Sequence, residues 1–416
     1  MFYDVNDHKE QEILNTSTEI QIEKLKEKNV NYRVIIFIAL VILWNVCFYA
    51  NVDKSKSVSR TTALRRGKDY IEKCFNGMIL NNNNLYLTSK PKISAVIPVY
   101  NCEKTIKAAV RSIQNQNMAD IEIILVNDKS TDSTPKIIQE LSEEDPRIKV
   151  INNEKNMGTL YSRSYGILNS QGKYIMNLDN DDLFIDVDVF DAVYEEAEKG
   201  NFDIVGFGAV DGNSYDPLLP QMVDDYFHHH KDGLIIRQPE LTYFPISRDN
   251  DFHVNDLHVW GRLVKADLYK KAVNNMGYNA IGEKRLTSFL TWAEDSAMSI
   301  ILFSFAKSYK FIQKYGIFHY IARTTASVTT NNELRLYGEI FFFDVIFDFS
   351  ENNFNGKKYA VEKAKDLKKD TKKYKIKYKR NQDFLKAIIT KMLNCKYISD
   401  EDKKQIKFLF SDLNFD

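Results

Sequence analysis

Between Lys92 and Val210 the chain alternates two patterns. Four short apolar runs rich in β-branched residues, ISAVIPVYN from Ile93, IEIILVND from Ile121, IKVINN from Ile148 and KYIMNLDNDD from Lys173, have the length and composition of buried strands. Helical periodicity separates them. From Glu103 to Asn115 it sets Ile106, Ala109, Val110 and Ile113 on one face. A second helix opens at Ser133 or Thr134 as cap, with Pro135 in the first helical position, and continues through Ile137, Ile138 and Leu141. A third runs from Leu160 to Asn169. Strand and helix in alternation predict βαβ units, hence an α/β fold with a mostly parallel sheet covered by helices on both faces.

The pattern continues with a helix over Asp188–Lys199 and a strand over Phe202–Val210. From Asp211 to Asp256 regularity fails, and the polar, Pro and aromatic content predicts a loop-dominated insertion shaped around a ligand. Its run His228, His229, His230 lacks neighbouring Cys or spaced carboxylates and reads as a solvated loop. Order resumes over His258–Tyr269, a helix follows at Thr291–Phe305, and Ile317–Thr330 reads as strand and loop. The remainder, 331–416, is a helical extension. Its segment Lys357–Arg380 holds eleven lysines and Arg380 against Glu362, Asp366 and Asp370, which fits a solvated helix, or a membrane-surface or phosphate-rich partner. Phe384–Leu393 and Lys403–Leu413 read as amphipathic helices packed on the body.

Ahead of the alternating region lie a polar tail at 1–33, an uncharged run at 34–50 and a stem at 51–90. The run VIIFIALVILWNVCFYA, as a helix, spans about 25 Å against a hydrocarbon layer of about 27–30 Å, with Tyr32 and Tyr49 at its flanks. It predicts a single-pass membrane anchor. Arg and Lys placement on either side weakly favours a cytosolic C-terminal domain. In the stem, Tyr70–Phe75 is compatible with a short helix. The domain expected to carry the chemistry is 91–330.

Lys plus Arg equals Asp plus Glu at 57 each, so no global field marks a nucleic-acid binder. The four cysteines are scattered, without zinc spacing, and leave only a Cys74–Cys102 bridge open. Neither a G-x-x-x-x-G-K-[ST] loop nor a G-x-G-x-x-G fingerprint occurs, so ATP hydrolysis and dinucleotide redox chemistry lack their usual phosphate cradles.

Candidate chemistry gathers at the C-terminal edge of the predicted sheet, where open α/β proteins bind ligands. The fourth strand stops at Asp179, Asn180, Asp181 and Asp182, carboxylates whose mutual repulsion needs a cation or hydrogen-bond donors to offset it. An acidic cap for the helix that follows is the alternative. For a nucleotide, Tyr100 offers an apolar wall for the base and Asp128 an acceptor. Asp181, with Asp179 near it, offers oxygen to Mg²⁺ or Mn²⁺ on a diphosphate, and Arg163 is positioned to reach phosphate.

Together ISAVIPVYN from Ile93, EIILVNDKSTDST from Glu122, NMGTLYSRSYGILNSQGKYIMNLDNDD from Asn156, VWGRLVKADLY from Val259 and AEDSAMS from Ala293 resemble glycosyltransferase family 2. The resemblance spans roughly Lys92–Thr330 and implies a glycosyltransferase A-type fold and inverting transfer from a nucleoside diphosphate sugar to a glycan, lipid or protein acceptor. It implies that Pro98, Tyr100 and Asp128 bind the nucleotide, Asp179 the ribose or diphosphate, and Asp181 a divalent cation. Asp295 is implied as the base, with Glu294 and Trp260 at the acceptor site; helix capping and a buried core Trp are the plain alternatives. Some relatives add a late His to the metal shell, a role open to His319. Ser164 departs from the Asn many relatives carry, and the Q-x-x-R-W motif of processive synthases is absent. A sugar-phosphate nucleotidyltransferase would need a Gly-rich, Lys/Arg-bearing loop after the first strand, which Pro98–Lys104 does not supply. A catalytically inactive relative acting in glycan binding or scaffolding would be expected to lose Asp181 or Asp295, and both are present.

Overall fold

The computed structural model describes residues 70–74, 76, 78, 90–212, 232–238, 240–242, 258–290, 292–320, 332–350, 364–369, 371, 379–396 and 398–413. All of them lie in one compact unit, Leu64–Asp416. The expected membrane span Val34–Ala50, the triple His, and most of the insertion and of the Lys-rich segment fall outside the described residues. Among the described residues no helix is long and apolar enough to cross a membrane.

Seven elements form the first half: β1 (Ile93–Val99), α1 (Ile106–Gln114), β2 (Ile121–Asn127), α2 (Thr134–Glu144), β3 (Ile148–Asn152), α3 (Thr159–Leu168) and β4 (Tyr174–Asn177). They make a parallel sheet in the order β3-β2-β1-β4. Both faces are covered, which is why β1 and β2 are apolar almost without alternation. Ile93, Ala95, Ile97 and Val99 pack in one cluster with Ile106, Ala109, Val110 and Ile113 of α1. On the other face Val96 joins Leu160 and Ile167 of α3.

The second half departs from the expectation of a mostly parallel sheet. It comprises β5 (Leu183–Phe184), α4 (Val189–Gly200), β6 (Ile204–Gly212), β7 (Ile235–Arg237), β8 (Arg262–Lys265), α5 (Ala266–Asn274), α6 (Glu294–Phe305) and β9 (Ser308–Tyr320). The sheet continues β4-β8-β6-β9-β5, with β7 on β9. Here β8 runs antiparallel to both β4 and β6, and β5 and β7 antiparallel to β9; only β6 and β9 are parallel. The fold is therefore mixed α/β. The chain re-enters beside the end of β4 instead of crossing back over a helix, as a parallel strand would require. This places Val259 and Trp260, just before β8, at the ligand edge. The last strand also begins at Ser308, earlier than the Ile317 start expected, because Lys310, Gln313 and Lys314 interrupt its apolar pattern.

Among the described residues that follow are the helices α7 (Asn332–Ser350), α8 (Lys379–Asn394) and α9 (Asp400–Leu409). Leu336, Ile340, Phe341, Phe384, Ile388 and Phe410 share one core with Val264, Tyr269 and Met298. Arg285 fastens α7 from within that core, donating through Nε to Asp344 Oδ2 at 2.9 Å. Residues 70–74 are helical, and the Tyr70 hydroxyl donates to the Ser112 carbonyl at 3.0 Å. Cys74 and Cys102 are both free and buried, so the bridge left open by the sequence does not form.

Candidate active site

The turns after β1 and β2 are built against each other. Asp128 N–H donates to the Val99 carbonyl at 2.8 Å, and the Asn101 side chain accepts from Thr131 N–H at 2.8 Å. Asn101 adopts a left-handed backbone, φ 46°, which Asn tolerates better than most residues. Tyr100 emerges between these ties, 44% exposed, with its ring available as a wall.

Asp128 is buried and held by three donors. Oδ1 accepts from Asn153 Nδ2 and Met157 N–H, both at 2.8 Å, and Oδ2 accepts from Gly158 N–H at 2.8 Å. An ionised carboxylate has about four acceptor positions, so one remains for a ligand donor. The carboxylate also fixes the entry to α3. Gly158 sits there at φ 87°, and a Cβ would meet the Leu290 carbonyl oxygen at 3.3 Å, so both backbone and space call for Gly.

The acidic loop is pinned at two points. Asn180 Nδ2 donates to the carbonyl of Pro98 at 3.0 Å, and Tyr320 N–H donates to Asp182 Oδ1 at 2.9 Å. Asp182, expected only as a cap, thus ties the loop to the end of β9 and brings His319 beside it. Burial pushes Asp182 well above the usual carboxylate range, and its Oδ2 has no hydrogen-bond partner among the described residues. Burial, followed by the Asp179 charge, pushes Asp181 up to about 6, and the charge of His319 pulls it back.

Those features fit a divalent cation. Crowded carboxylates and an orphaned buried oxygen are what a bound counter-charge would relieve. Among the described residues no three His, Cys, Asp or Glu side chains are grouped to hold an ion by themselves. Mg²⁺ commonly takes one or two carboxylates and completes its shell from substrate phosphate and water, so Asp181 with a diphosphate meets the requirement.

Arg163, on α3, links the two halves of the site. It is 1% exposed, and its Nη2 donates to Asp179 Oδ1 at 2.7 Å while Nη1 donates to Asp295 Oδ1 at 2.6 Å. Expected to reach phosphate, it instead directs both terminal nitrogens to carboxylates. Asp295 lies in the first turn of α6 beside Glu294, its side chain 20% exposed. Burial pushes its carboxyl up to about 8; Arg163 opposes the rise, and the charges of Glu294 and Asp179 add to it. Burial also raises Glu294, again opposed by Arg163. Immediately before them Ala293 holds φ 62°, a left-handed conformation that costs a non-Gly residue roughly 1–2 kcal/mol.

Trp260 is 2% exposed and sits against two imidazoles, stacked on His258 at 4.5 Å and tilted to His319 at 4.9 Å between ring centroids. It is enclosed, as the core alternative describes, and meets the edge as part of this aromatic group. Burial, then the charges of His319 and Arg262, pushes His258 down to about 3, so it is neutral near pH 7. Sequence reasoning passed over His258 and Asn153 and gave Asp182 no role beyond capping. The crowding of Asp182 with Asp179 and Asp181 was the one signal available.

The profile of the family described as glycosyl transferase family 2 matches residues 94–271. The chain is 29% identical over 238 residues to the Bacillus subtilis glycosyltransferase EpsJ, covering 55% of this chain and 61% of that protein. To Streptococcus pneumoniae glycosyltransferase GlyA it is 31% identical over 191 residues, 45% of this chain and 26% of that one. The chain thus spans less than two thirds of either relative. Among solved structures, S. aureus TarS 1-349 in complex with UDP-GlcNAc has the same fold, with a TM-score of 0.55 at 14% identity over 77% of this chain and 87% of that one. Motifs at one sheet edge, a mixed α/β fold and the profile match agree: over residues 94–271 the chain matches the glycosyl transferase family 2 domain.

Proposed function

We propose that the protein is an inverting glycosyltransferase that moves a sugar from a nucleoside diphosphate sugar to an acceptor hydroxyl, with Asp295 as general base. The observation that carries this reading is the Asp179–Arg163–Asp295 bridge, which joins a carboxylate on the donor edge to one at the head of α6. One guanidinium thereby sets the spacing between the two halves of the reaction. Tyr100 walls the base, Asp128 accepts from the nucleotide and holds the α3 turn, and Asp179 faces the ribose or diphosphate.

An acceptor hydroxyl at Asp295 gives its proton to the carboxylate as its oxygen attacks the anomeric carbon. The bond from that carbon to the diphosphate oxygen breaks, and configuration inverts. A divalent cation, Mn²⁺ or Mg²⁺, would be held by Asp181, where it would supply counter-charge for a diphosphate. Asp295 must be ionised to act, so the raised pKa makes it a stronger base at the expense of the fraction ready near neutrality. UDP-GlcNAc, the ligand of the TarS complex, is the first donor to test. The apolar run Val34–Ala50 supports anchoring the domain to a membrane by a single span, where a glycan, lipid or protein acceptor would be met.

The test is a thermal-melt and product-release series on the full chain in detergent, with UDP-sugars, with and without Mn²⁺. A native-state ligand raises the midpoint. Stabilisation by one UDP-sugar, UDP release in the same mixture, and loss of the Mn²⁺ effect in Asp181→Ala are expected. Stabilisation without UDP release, in the presence of glycan and lipid acceptors, would favour a binding-only relative. No response to any nucleotide would overturn the reading.

A further inference from the structure

The turn that presents Asp295 is held to α6 by one backbone bond, Ala297 N–H to the Ala293 carbonyl at 3.1 Å, and otherwise from outside that helix. Trp292 and Ala293 precede the helix, and the left-handed Ala293 has no glycine freedom to make that conformation easy. Such a residue persists when its surroundings over-determine it, and here they come from α7. Gly338 lets α7 approach so closely that a Cβ would stand 2.3 Å from the Trp292 carbonyl oxygen and 3.0 Å from its carbon. One residue on, Glu339 accepts the Trp292 indole N–H, Nε1 to Oε1, at 2.6 Å. One turn back, the Arg335 guanidinium lies 3.8 Å from the centroid of the same indole. Backbone, ring edge and ring face of Trp292 are each engaged by one helix.

α7 lies beyond residues 94–271, so none of these contacts is part of the family profile. Its own attachment is firm: Arg285 holds Asp344 and Asp348 on its inner side. We propose that α7 is a positioning brace for the base, with Glu339 and Gly338 acting through Trp292 and Ala293 to hold Asp295 at the acceptor hydroxyl. The inference rests on Asp295 being the base. It assigns the first helix of the C-terminal extension a share in transfer, without contact to substrate.

A positioning role affects the chemical step and leaves donor binding alone, because Tyr100, Asp128 and Asp179 belong to other elements. The experiment compares Glu339→Ala, Glu339→Gln, Gly338→Ala and Asp295→Asn in steady-state UDP release from the best UDP-sugar, with melting curves for each. Glu339→Ala and Gly338→Ala are expected to lower kcat about tenfold, with donor KM within twofold of the parent. Glu339→Gln keeps an amide oxygen for the indole N–H and is expected to recover most of the loss. Recovery by Gln is the result a merely stabilising contact would not give if the Ala variant melts where the parent does. Unchanged kcat in both Ala variants, or equal loss in Glu339→Gln and Glu339→Ala, overturns the brace. Should Gly338→Ala fail to fold, the Glu339 pair decides alone. Asp295→Asn separates the two ideas. If it is inactive and the Glu339 variants are normal, the brace fails and the base stands; if it retains transfer, the base assignment fails and the brace as stated fails with it.

Discussion

Asp128 and Asp295 show two ways of holding a carboxylate in one cleft. Asp128 ends a strand of the parallel half-sheet and takes three N–H donors, two of them from the backbone turn it shapes. Asp295 starts a helix of the mixed half, takes a single guanidinium nitrogen from Arg163, and follows a left-handed alanine. The first arrangement has three of its bonds made and one acceptor position left for a ligand, as suits a binding group. The second is under-satisfied, and burial lifts its carboxyl to about 8. Binding groups gain from having their bonds made in advance; a base gains from the opposite, because an unsatisfied carboxylate holds a proton more tightly.

The sharpest way to break that contrast is Asp295→Asn. General-base catalysis contributes about 10²–10⁴ in rate, and UDP release is expected to fall by that order while UDP affinity, measured by calorimetry, stays within twofold. A parallel loss of affinity would mean the two carboxylates are not separable. A pH signature is expected of the parent protein as well. With Asp295 as the proposed base its ionised form is required, so kcat/KM is expected to rise with pH through an inflection near 8 and to fall steadily below it. In stability the sign is reversed: burial disfavours the charged form, so Asn removes a penalty that grows as pH rises from the unfolded carboxylate range and is complete above the folded pKa, and is expected to raise the melting midpoint at pH 9 more than at pH 6.

The two halves also differ in how far the sequence discloses them. β1 to β4 were legible because strands buried on both faces are continuously apolar and stop abruptly at polar residues; Tyr100, Asp128 and Asp181 stand at those stops. Motif order carried Asp295. The partners were not legible. Tyr320 to Asp182 and Arg163 to Asp295 join residues 138 and 132 apart, and no local pattern reports such a contact. The direction of β8 was hidden as well, since an antiparallel neighbour and a parallel one have the same apolar composition. The clamp on Trp292 depends on Gly338, which in sequence is only a glycine inside a helix.

Arg163 binds a carboxylate from each half, so its replacement tests whether they are coupled. Arg163→Gln leaves two carboxylates beside an uncharged buried side chain and is expected to destabilise the fold by about 3–5 kcal/mol, read from urea midpoints. Arg163→Lys keeps the charge on one point and cannot bridge two acceptors in a fixed fork. For the Lys variant we expect turnover lowered about tenfold to a hundredfold and the pH inflection moved upward, because the opposing influence of the guanidinium on Asp295 is weakened. An inflection left at its original value would show that Arg163 spaces the carboxylates without tuning them.

The smallest effect belongs to Tyr100, where only the donor edge is touched. Its ring is 44% exposed in the free protein, so a stacked base would cover it without displacing a packed neighbour. Aromatic pairs contribute about 0.5–1.5 kcal/mol beyond area burial, which corresponds to a rise of about twofold to tenfold in donor KM for Tyr100→Ala. Tyr100→Phe keeps the face of the ring and is expected to match the parent. Because uniform binding is lost and the transition state gains nothing from the ring, kcat should not move in either variant. A fall in kcat for Tyr100→Ala would mean that nucleotide placement reaches the anomeric carbon, and that donor edge and base respond as one unit.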